Sequence, residues 1–379
     1  MVERCRAVDG REVSLFGGIY HGRRVLVTGH TGFKGSWLAL WLTHLGAHVA
    51  GYSIDIPSTP SNFELLGLEN QLRHYVGDVR DRVRLAQVID DFQPEMIFHL
   101  AAQALVRRSY ADPVVTFETN VLGMVNLLEC VRTRPSIQVA VLITSDKAYR
   151  NVEWPWGYRE IDVLGGYDPY SSSKSCADLV AQSYHHSFFR DNSTRVGIAR
   201  AGNVIGGGDW ADDRIVPDCI RAWCTGQAVS VRNPAATRPW QHVLEPLSGY
   251  LWLGAELWRK RRQLNGEAFN FGPDAKVNQS VAELLNAMAA RWSDVTWTTP
   301  TGIEQRSHEA NLLKLSCDKA LHLLAWSAVM EFSETVSLTV DWYAAWHAKR
   351  TDLRAYSIDQ IDQYCSLALE RSLLWALER

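Results

Sequence analysis

Val25-Leu26-Val27-Thr28-Gly29-His30-Thr31-Gly32-Phe33-Lys34-Gly35 is the stretch on which the reading of the whole chain turns. Its aliphatic run reads as a short strand apolar on both faces, as strands inside a parallel sheet are. Gly29, Gly32 and Gly35 follow at a spacing of three, and Trp37, Leu38, Trp41, Leu42 and Leu45 then recur with helical periodicity up to a stop at Gly46. Strand, glycine loop and helix in that order predict a dinucleotide-binding turn rather than a purely structural one. Gly29 permits the tight reversal, Gly32 lets backbone N–H groups approach a pyrophosphate, and Gly35 permits close helix–strand packing. Thr31, Phe33 and Lys34 complete the candidate cofactor loop. A triphosphate loop is excluded because Lys34 precedes Gly35, whereas that motif needs Gly-Lys followed by Ser or Thr.

Moving outward, residues 1–20 are mixed in character and lack an apolar core, so they read as an N-terminal arm and not as a signal peptide. The 379 residues are 46% hydrophobic and 21% charged, ordinary globular material for two cooperating domains or one large domain with a cap. A net charge of −3 without a long basic face argues against nucleic acid as partner. The dense basic run Arg259-Lys260-Arg261-Arg262 is expected to be the solvated end of a helix. Seven scattered cysteines without metal spacing suggest reduced thiols, a cytoplasmic setting and no metal. With no run of about 18 apolar residues, a membrane span is not expected.

Downstream, strand and helix patterns alternate, which implies right-handed crossovers and a doubly wound parallel α/β sheet, the Rossmann arrangement. The second strand, 48–54, ends near Asp55, which either accepts from the ribose hydroxyls of NAD or is an ordinary acidic loop residue. Strand 73–76 leads to Asp78 and Val79, where Asp78 can meet an adenine edge; strand 96–100 closes on Ala101, Ala102 and Gln103, small enough for backbone to pass close to a cofactor. Helix 113–132 carries Asn120 in an apolar pattern, where it needs partners: it ties the helix to a strand or holds active-site backbone.

Strand 138–143 delivers Thr144-Ser145-Asp146-Lys147 to the carboxyl edge of the sheet, where ligands of such folds bind. Asp168 is a good N-cap and Pro169 a good first residue, so a helix starting at 169 sets Tyr170 and Lys174 on one face at i and i+4. An ammonium there is expected to lower the phenol's pKa and prepare it to take an alcohol proton. Strand 195–201 runs into the turn 202–209, after which alternation weakens: a helix near 214–225, a strand 229–231, and the loop Arg238-Pro239-Trp240-Gln241-His242. Arginine, aromatic and histidine together suit a nucleotide diphosphate; the alternative is a surface loop whose tryptophan only packs. Further helices are expected near 245–262, 280–292, 316–324 and 333–349.

Four stretches carry a resemblance: Thr144-Ser145-Asp146-Lys147, residues 156–160, Gly166-Tyr167-Asp168-Pro169-Tyr170 with Lys174, and Arg200 to Trp210. With the glycine loop and 238–242, they make the chain similar to extended short-chain dehydrogenase/reductases, and within them to nucleotide-sugar 4,6-dehydratases of the CDP-glucose type. Ser145 stands where the related dTDP-glucose enzymes usually have Thr, and Lys147 where they have Glu. The resemblance implies bound NAD, a CDP-glucose substrate, a homodimer or dimer of dimers, and a place in deoxysugar and lipopolysaccharide biosynthesis. It also implies a mechanism. Tyr170, helped by Lys174 and Ser145, takes the C4 proton as hydride passes to NAD; water is lost across C5 and C6, and hydride returns to C6. Asp146 is the natural acid if buried. Lys147 stands at the position of the base, a part open to it only if neutral; charged, it would stabilise a developing enolate. Asn203, Arg214 and Arg238, with Trp240 and His242, are the implied diphosphate neighbours, and Gln103 and Asn120 the implied neighbours of cofactor or substrate. The expected division is an NAD-binding domain at 21–205, taking back short segments near 238–262, and a mainly substrate-binding smaller α/β domain at 206–379. A 4-epimerase would need no elimination acid, and a non-catalytic NAD-binding scaffold would be expected to lose Ser145, Tyr170 or Lys174.

Overall fold

The structure is a computed structural model that describes residues 15–292, 295–299 and 312–377. A seven-stranded sheet organises it. Its first six strands are β1 (Arg24–Thr28), β2 (His48–Ser53), β3 (Arg73–Val76), β4 (Met96–His99), β5 (Val139–Ile143) and β6 (Arg195–Arg200), and a seventh, Ala268–Asn270, completes it. The spatial order is β3-β2-β1-β4-β5-β6 and then the seventh strand, with every pairing parallel. The order reverses between β1 and β4, which opens a crevice at the carboxyl edge.

Burial explains the continuous apolar strands. Val25 and Val27 face one core while Leu26 faces the other; in β5, Val139, Val141 and Ile143 oppose Ala140 and Leu142 in the same way. Helices cover both faces, so the central strand positions are apolar and the buried polar groups Thr28, His99 and Arg200 fall at the carboxyl ends of their strands. One face carries helix Phe33–His44 and helix Leu244–Trp258, the latter buried from Leu244 to Leu257 and packed on β5 and β6. The other carries Arg82–Phe92, Pro113–Arg132 and Pro169–Tyr184, which pack on one another.

Helix Pro113–Arg132 is long and apolar enough to cross a membrane by length and composition, yet it forms part of this layer and buries Asn120 toward it. A π turn at Glu118–Leu122 interrupts it where Asn120 sits. Asp168 caps the helix starting at Pro169 by accepting from Ser171 N, as the sequence predicts.

Beyond Ile205 the chain does not stay in a second domain. Helix Leu244–Trp258 lies on the sheet, and Ala268–Asn270 joins it beside β6. With Val204–Ile205, the described residues beyond 205 also build a smaller layer from three two-stranded pairs, Val204–Ile205 with Gln241–His242, Thr237–Arg238 with Gln279–Ser280, and Val229–Ser230 with Trp297–Thr298, together with helices Ile215–Cys224, Val281–Ala289 and Phe332–His347. Helix Leu353–Glu370, absent from the sequence reading, packs back on helix Phe33–His44.

The described portion of the expected arm, 15–20, lies on the body: Phe16 stacks on Trp375, and Tyr20 donates to Leu251 O at 2.5 Å. Residues 1–14 lie outside the described residues. The basic run directly follows its expected helix, with Arg259, Lys260 and Arg262 exposed. Its helix ends at Trp258, and Arg259 and Arg261 both bind the buried Glu256, with Arg259 also 5.5 Å from the Trp252 ring.

Candidate functional site

The glycine loop leaves β1 and reaches its helix at Phe33. Gly29 has φ +75, and a Cβ on it would lie 2.7 Å from Ala101 N; one on Gly35 would lie 2.1 Å from Gly29 O. Both glycines therefore serve close backbone packing. At Gly32 a Cβ would meet only Gly29 O at 3.4 Å, and no side chain caps the helix start. Thr31 Oγ1 donates to Asp55 O at 2.7 Å, tying the loop to the end of β2, where Asp55 is exposed. His30 is buried between Ser53 Oγ (2.9 Å) and His74 Nδ1 (2.7 Å), and burial lowers its pKa to about 3. Phe33 packs toward Gly206.

Asp78 and Val79 follow β3. The Asp78 carboxylate accepts from Arg80 N and Nε, both at 2.8 Å, and this outweighs its partial burial to hold the carboxyl below its usual range. Val79 points into the layer of helices against Gly123, which makes its side chain a packing residue.

Gln103 and Asn120 are joined to each other after β4. Asn120 Oδ1 accepts from Gln103 N at 2.8 Å, and its Nδ2 donates to Gln103 O and to Ser173 Oγ. The Gln103 side chain donates to Leu105 O and Thr116 Oγ1 and accepts from Leu105 N. Both amides are occupied by protein, so these residues shape the backbone after Ala101 and fasten it to the helix of Tyr170.

The reactive groups meet at the end of β5. Ser145 caps the turn Asp146–Ala148: its Oγ accepts from Lys147 N at 3.2 Å and donates to Asp146 Oδ1 at 2.9 Å. Asp146 is buried, and its Oδ2 accepts from Asn203 Nδ2 at 3.2 Å. Gly202 presses on the same carboxyl, since a Cβ there would come within 2.0 Å of Asp146 Cγ. The Tyr170 phenol is buried beside Ser145. Burial pushes it up to about 12, against the opposing pull of Ser145 and of Arg214.

This corrects the expected lowering by Lys174: desolvation wins, and the charges that act on Tyr170 come from Asp146, Arg214 and Asp168. Lys174 is itself lowered to about 7 by burial and then by Lys34, with Asp178 opposing. Lys34 therefore reaches well beyond the loop. It stands among Arg214, Asp146 and Asp209, and burial with Arg214 brings it to about 8. Its glycine-loop position alone did not show this reach.

Of the expected diphosphate neighbours, Arg214 binds Asp209 at 2.8 Å and lies beside Tyr170. Arg238 Nη1 donates to Thr237 O. Trp240 and His242 are corrected: Trp240 is 7% exposed within the core, and His242 is fully buried edge-on to Trp37, lowered by burial to about 3. The short strand Gln241–His242 alternates its side chains, which turns His242 inward and leaves Gln241 facing the site. Gln241 Nε2 donates to Gly202 O and Phe271 O, and with Asp146, Asn203, Asp274 and Lys314 it lines a cleft of about 300 Å³. No motif marked Asp274 or Lys314; they come from loops remote in sequence.

A parallel sheet with a glycine loop at its carboxyl edge, beside a Ser145 turn and a Tyr170/Lys174 helix, defines an extended short-chain dehydrogenase/reductase. The chain belongs to the GDP-mannose 4,6 dehydratase family, whose model matches residues 26–339. It is 47% identical to CDP-glucose 4,6-dehydratase of Salmonella typhimurium over 353 residues, 92% of this chain and 97% of that one. It is 29% identical to dTDP-glucose 4,6-dehydratase of Streptomyces antibioticus over 70% and 75% of the two chains. Among solved structures, dTDP-glucose 4,6-dehydratase from Streptomyces venezuelae with NAD bound superposes with a TM-score of 0.72 at 25% identity, covering 87% of this chain and 99% of that one.

Proposed function

We propose that the chain is an NAD-dependent lyase that converts CDP-glucose to CDP-4-dehydro-6-deoxyglucose. The observation that carries this reading is the buried Ser145–Asp146 turn, with Asn203 on the Asp146 carboxyl and the buried Tyr170 phenol beside it. It joins a proton acceptor for C4 to a separate acid for C6, which a 4-epimerase would not need. The CDP-glucose preference is supported by the 47% identical relative.

The residues present fit the cofactor. The uncapped helix start after Gly32 suits a pyrophosphate, Asp55 suits the adenosine ribose, and the Asp78–Arg80 pair suits the adenine end. When bound, the nicotinamide supplies reversible hydride transfer with the sugar. Tyr170 accepts the C4 hydroxyl proton, with Ser145 holding the phenol and Lys174 the charge. The ketone at C4 acidifies C5; Asp146 protonates the departing C6 hydroxyl, and Lys147, at the third position of the turn, takes the C5 proton or stabilises the enolate. Asn203, Arg214 and Arg238 hold the diphosphate side of the substrate.

The same reading places the enzyme in cytoplasmic deoxysugar synthesis of the lipopolysaccharide type, as a homodimer. Exposed Val114, Phe117 and Leu122 on one helix and Leu179 and Phe188 on its neighbour support that assembly. The test is incubation with NAD and CDP-, dTDP-, UDP- or GDP-glucose. A 4-keto-6-deoxy product from CDP-glucose is expected; no product from any of them would reject the reading. Sedimentation should give a dimer that Leu122→Glu dissociates.

A further inference from the structure

Tyr170, Lys174 and Asp178 stand on successive turns of one helix, and Asp178 is the member with no part in the chemistry above. It is fully buried and carries four hydrogen bonds: from Arg200 Nε and Nη2 at 2.7 Å each, from Thr144 Oγ1 at 3.0 Å, and from Gln182 Nε2 at 2.8 Å. Arg200 is equally buried. Its Nη1 donates to Tyr149 Oη at 2.7 Å and to Glu160 O, and it lies 4.9 Å from the Tyr149 ring.

The donors come from the segments that bear the reactive groups. Thr144 directly precedes Ser145 and Asp146. Arg200 ends β6, two residues before Gly202 and three before Asn203, both of which hold the Asp146 carboxyl. A buried ion pair of this kind is weak support for stability, because well-packed apolar residues of like volume do as well or better. What an apolar pair could not do is gather four hydrogen bonds from three residues at one point and place a negative charge one turn from Lys174. The groups that act on Lys174 or are acted on by it are Lys34 from the glycine loop, His99 from β4, and Asp178 on its own helix. Burial lowers His99, and Asp178, one turn from Lys174 and paired with Arg200, opposes Lys34.

We propose that Asp178, clamped by Arg200, is a positioning residue for the redox half of the reaction: it aligns the Thr144–Ser145 turn with Tyr170 and supplies the charge that keeps the Lys174 ammonium protonated. This rests on the Tyr170/Lys174 assignment above.

The test follows reduced-nicotinamide absorbance during C4 oxidation against pH, using full-length protein with NAD and CDP-glucose in an Asp146→Asn background. Asp178→Asn keeps the shape and removes the charge. Its alkaline limb should move down by about one pH unit, a loss of about tenfold at a fixed pH on that limb, with KM for the nucleotide sugar unchanged. Asp178→Glu should restore part of the shift. Thr144→Val cuts only the tie to the catalytic turn and should lower the oxidation rate several-fold without moving the limb, by about the loss expected from a small misplacement. If Asp178→Asn fails to fold, Asp178→Asn/Arg200→Gln carries the same measurement without a stranded charge. A limb that stays in place in the folded charge variant, or a Thr144→Val protein with the parent rate, overturns the proposal. Failure of the underlying assignment looks different: Lys174→Met would then leave the limb where it is.

Discussion

The Asn203 side chain donates to Asp146 Oδ2 at 3.2 Å, joining the loop after β6 to the turn after β5. The contact leaves Asp146 facing the cleft with one oxygen on Ser145 and the other on Asn203. Replacing Asp146 by Asn should block elimination while C4 oxidation continues. Turnover should fall by at least about 100-fold, and reduced nicotinamide should accumulate with substrate; product at the parent rate would remove Asp146 as the acid.

The same carboxyl can be disturbed without being touched. A methyl group at Gly202 would fall 2.0 Å from Asp146 Cγ, so Gly202→Ala must displace the acid or the strand end. A displacement near 1 Å costs about 100-fold in turnover. NAD affinity, measured by titration, should stay within about twofold because the glycine loop is elsewhere. Parent-like turnover would mean that this packing does not set the position of the acid.

Tyr170→Phe removes the proton acceptor for C4 and leaves the helix and its cap in place. Turnover should drop by about 1,000-fold or more, with NAD binding retained and no reduced nicotinamide formed in a single turnover. Oxidation at the parent rate would place the proton acceptor on another group.

Stability should depend on pH through three buried histidines, His30, His99 and His242, each lowered by burial to about 3. A depressed basic group stays neutral when folded but takes a proton when unfolded below its ordinary value of 6.5. Its contribution is therefore complete above that pH and is lost as pH falls toward 3. Three such groups give a slope of up to about 4 kcal/mol per pH unit. Glu245 subtracts one share: burial raises it to about 7, so its contribution is lost as pH rises from 4.5 to 7. Urea unfolding at pH 7.5, 6 and 5 should show falling stability, steeper still in Glu245→Gln; a flat profile would contradict the assignment of neutral buried histidines.

Much of the site was legible because it is built from local devices. The Asp168 cap, the proline after it and the i, i+4 spacing of Tyr170 and Lys174 are properties of one helix. The glycine loop is likewise local, and its strand–loop–helix order held. What misled was side-chain direction. Trp240 and His242 are the right residue types for a diphosphate, but a two-residue strand paired with Val204–Ile205 turns His242 into the core and presents Gln241 instead. Asn120, by contrast, holds the backbone of Gln103 beside the site, one of the two parts its buried position suggested.

By itself the sequence determined the class of fold and the identity of the reactive groups, because backbone periodicity, caps and glycine spacing act over a few residues. Only the tertiary structure decided how those groups are charged and held. Burial raises the Tyr170 phenol above its ordinary value despite the nearby cations, and it brings Lys34 and Lys174 down together. Desolvation and long-range packing depend on residues such as Lys34 and Arg214, or Asp178 and Arg200, that meet only when the sheet closes.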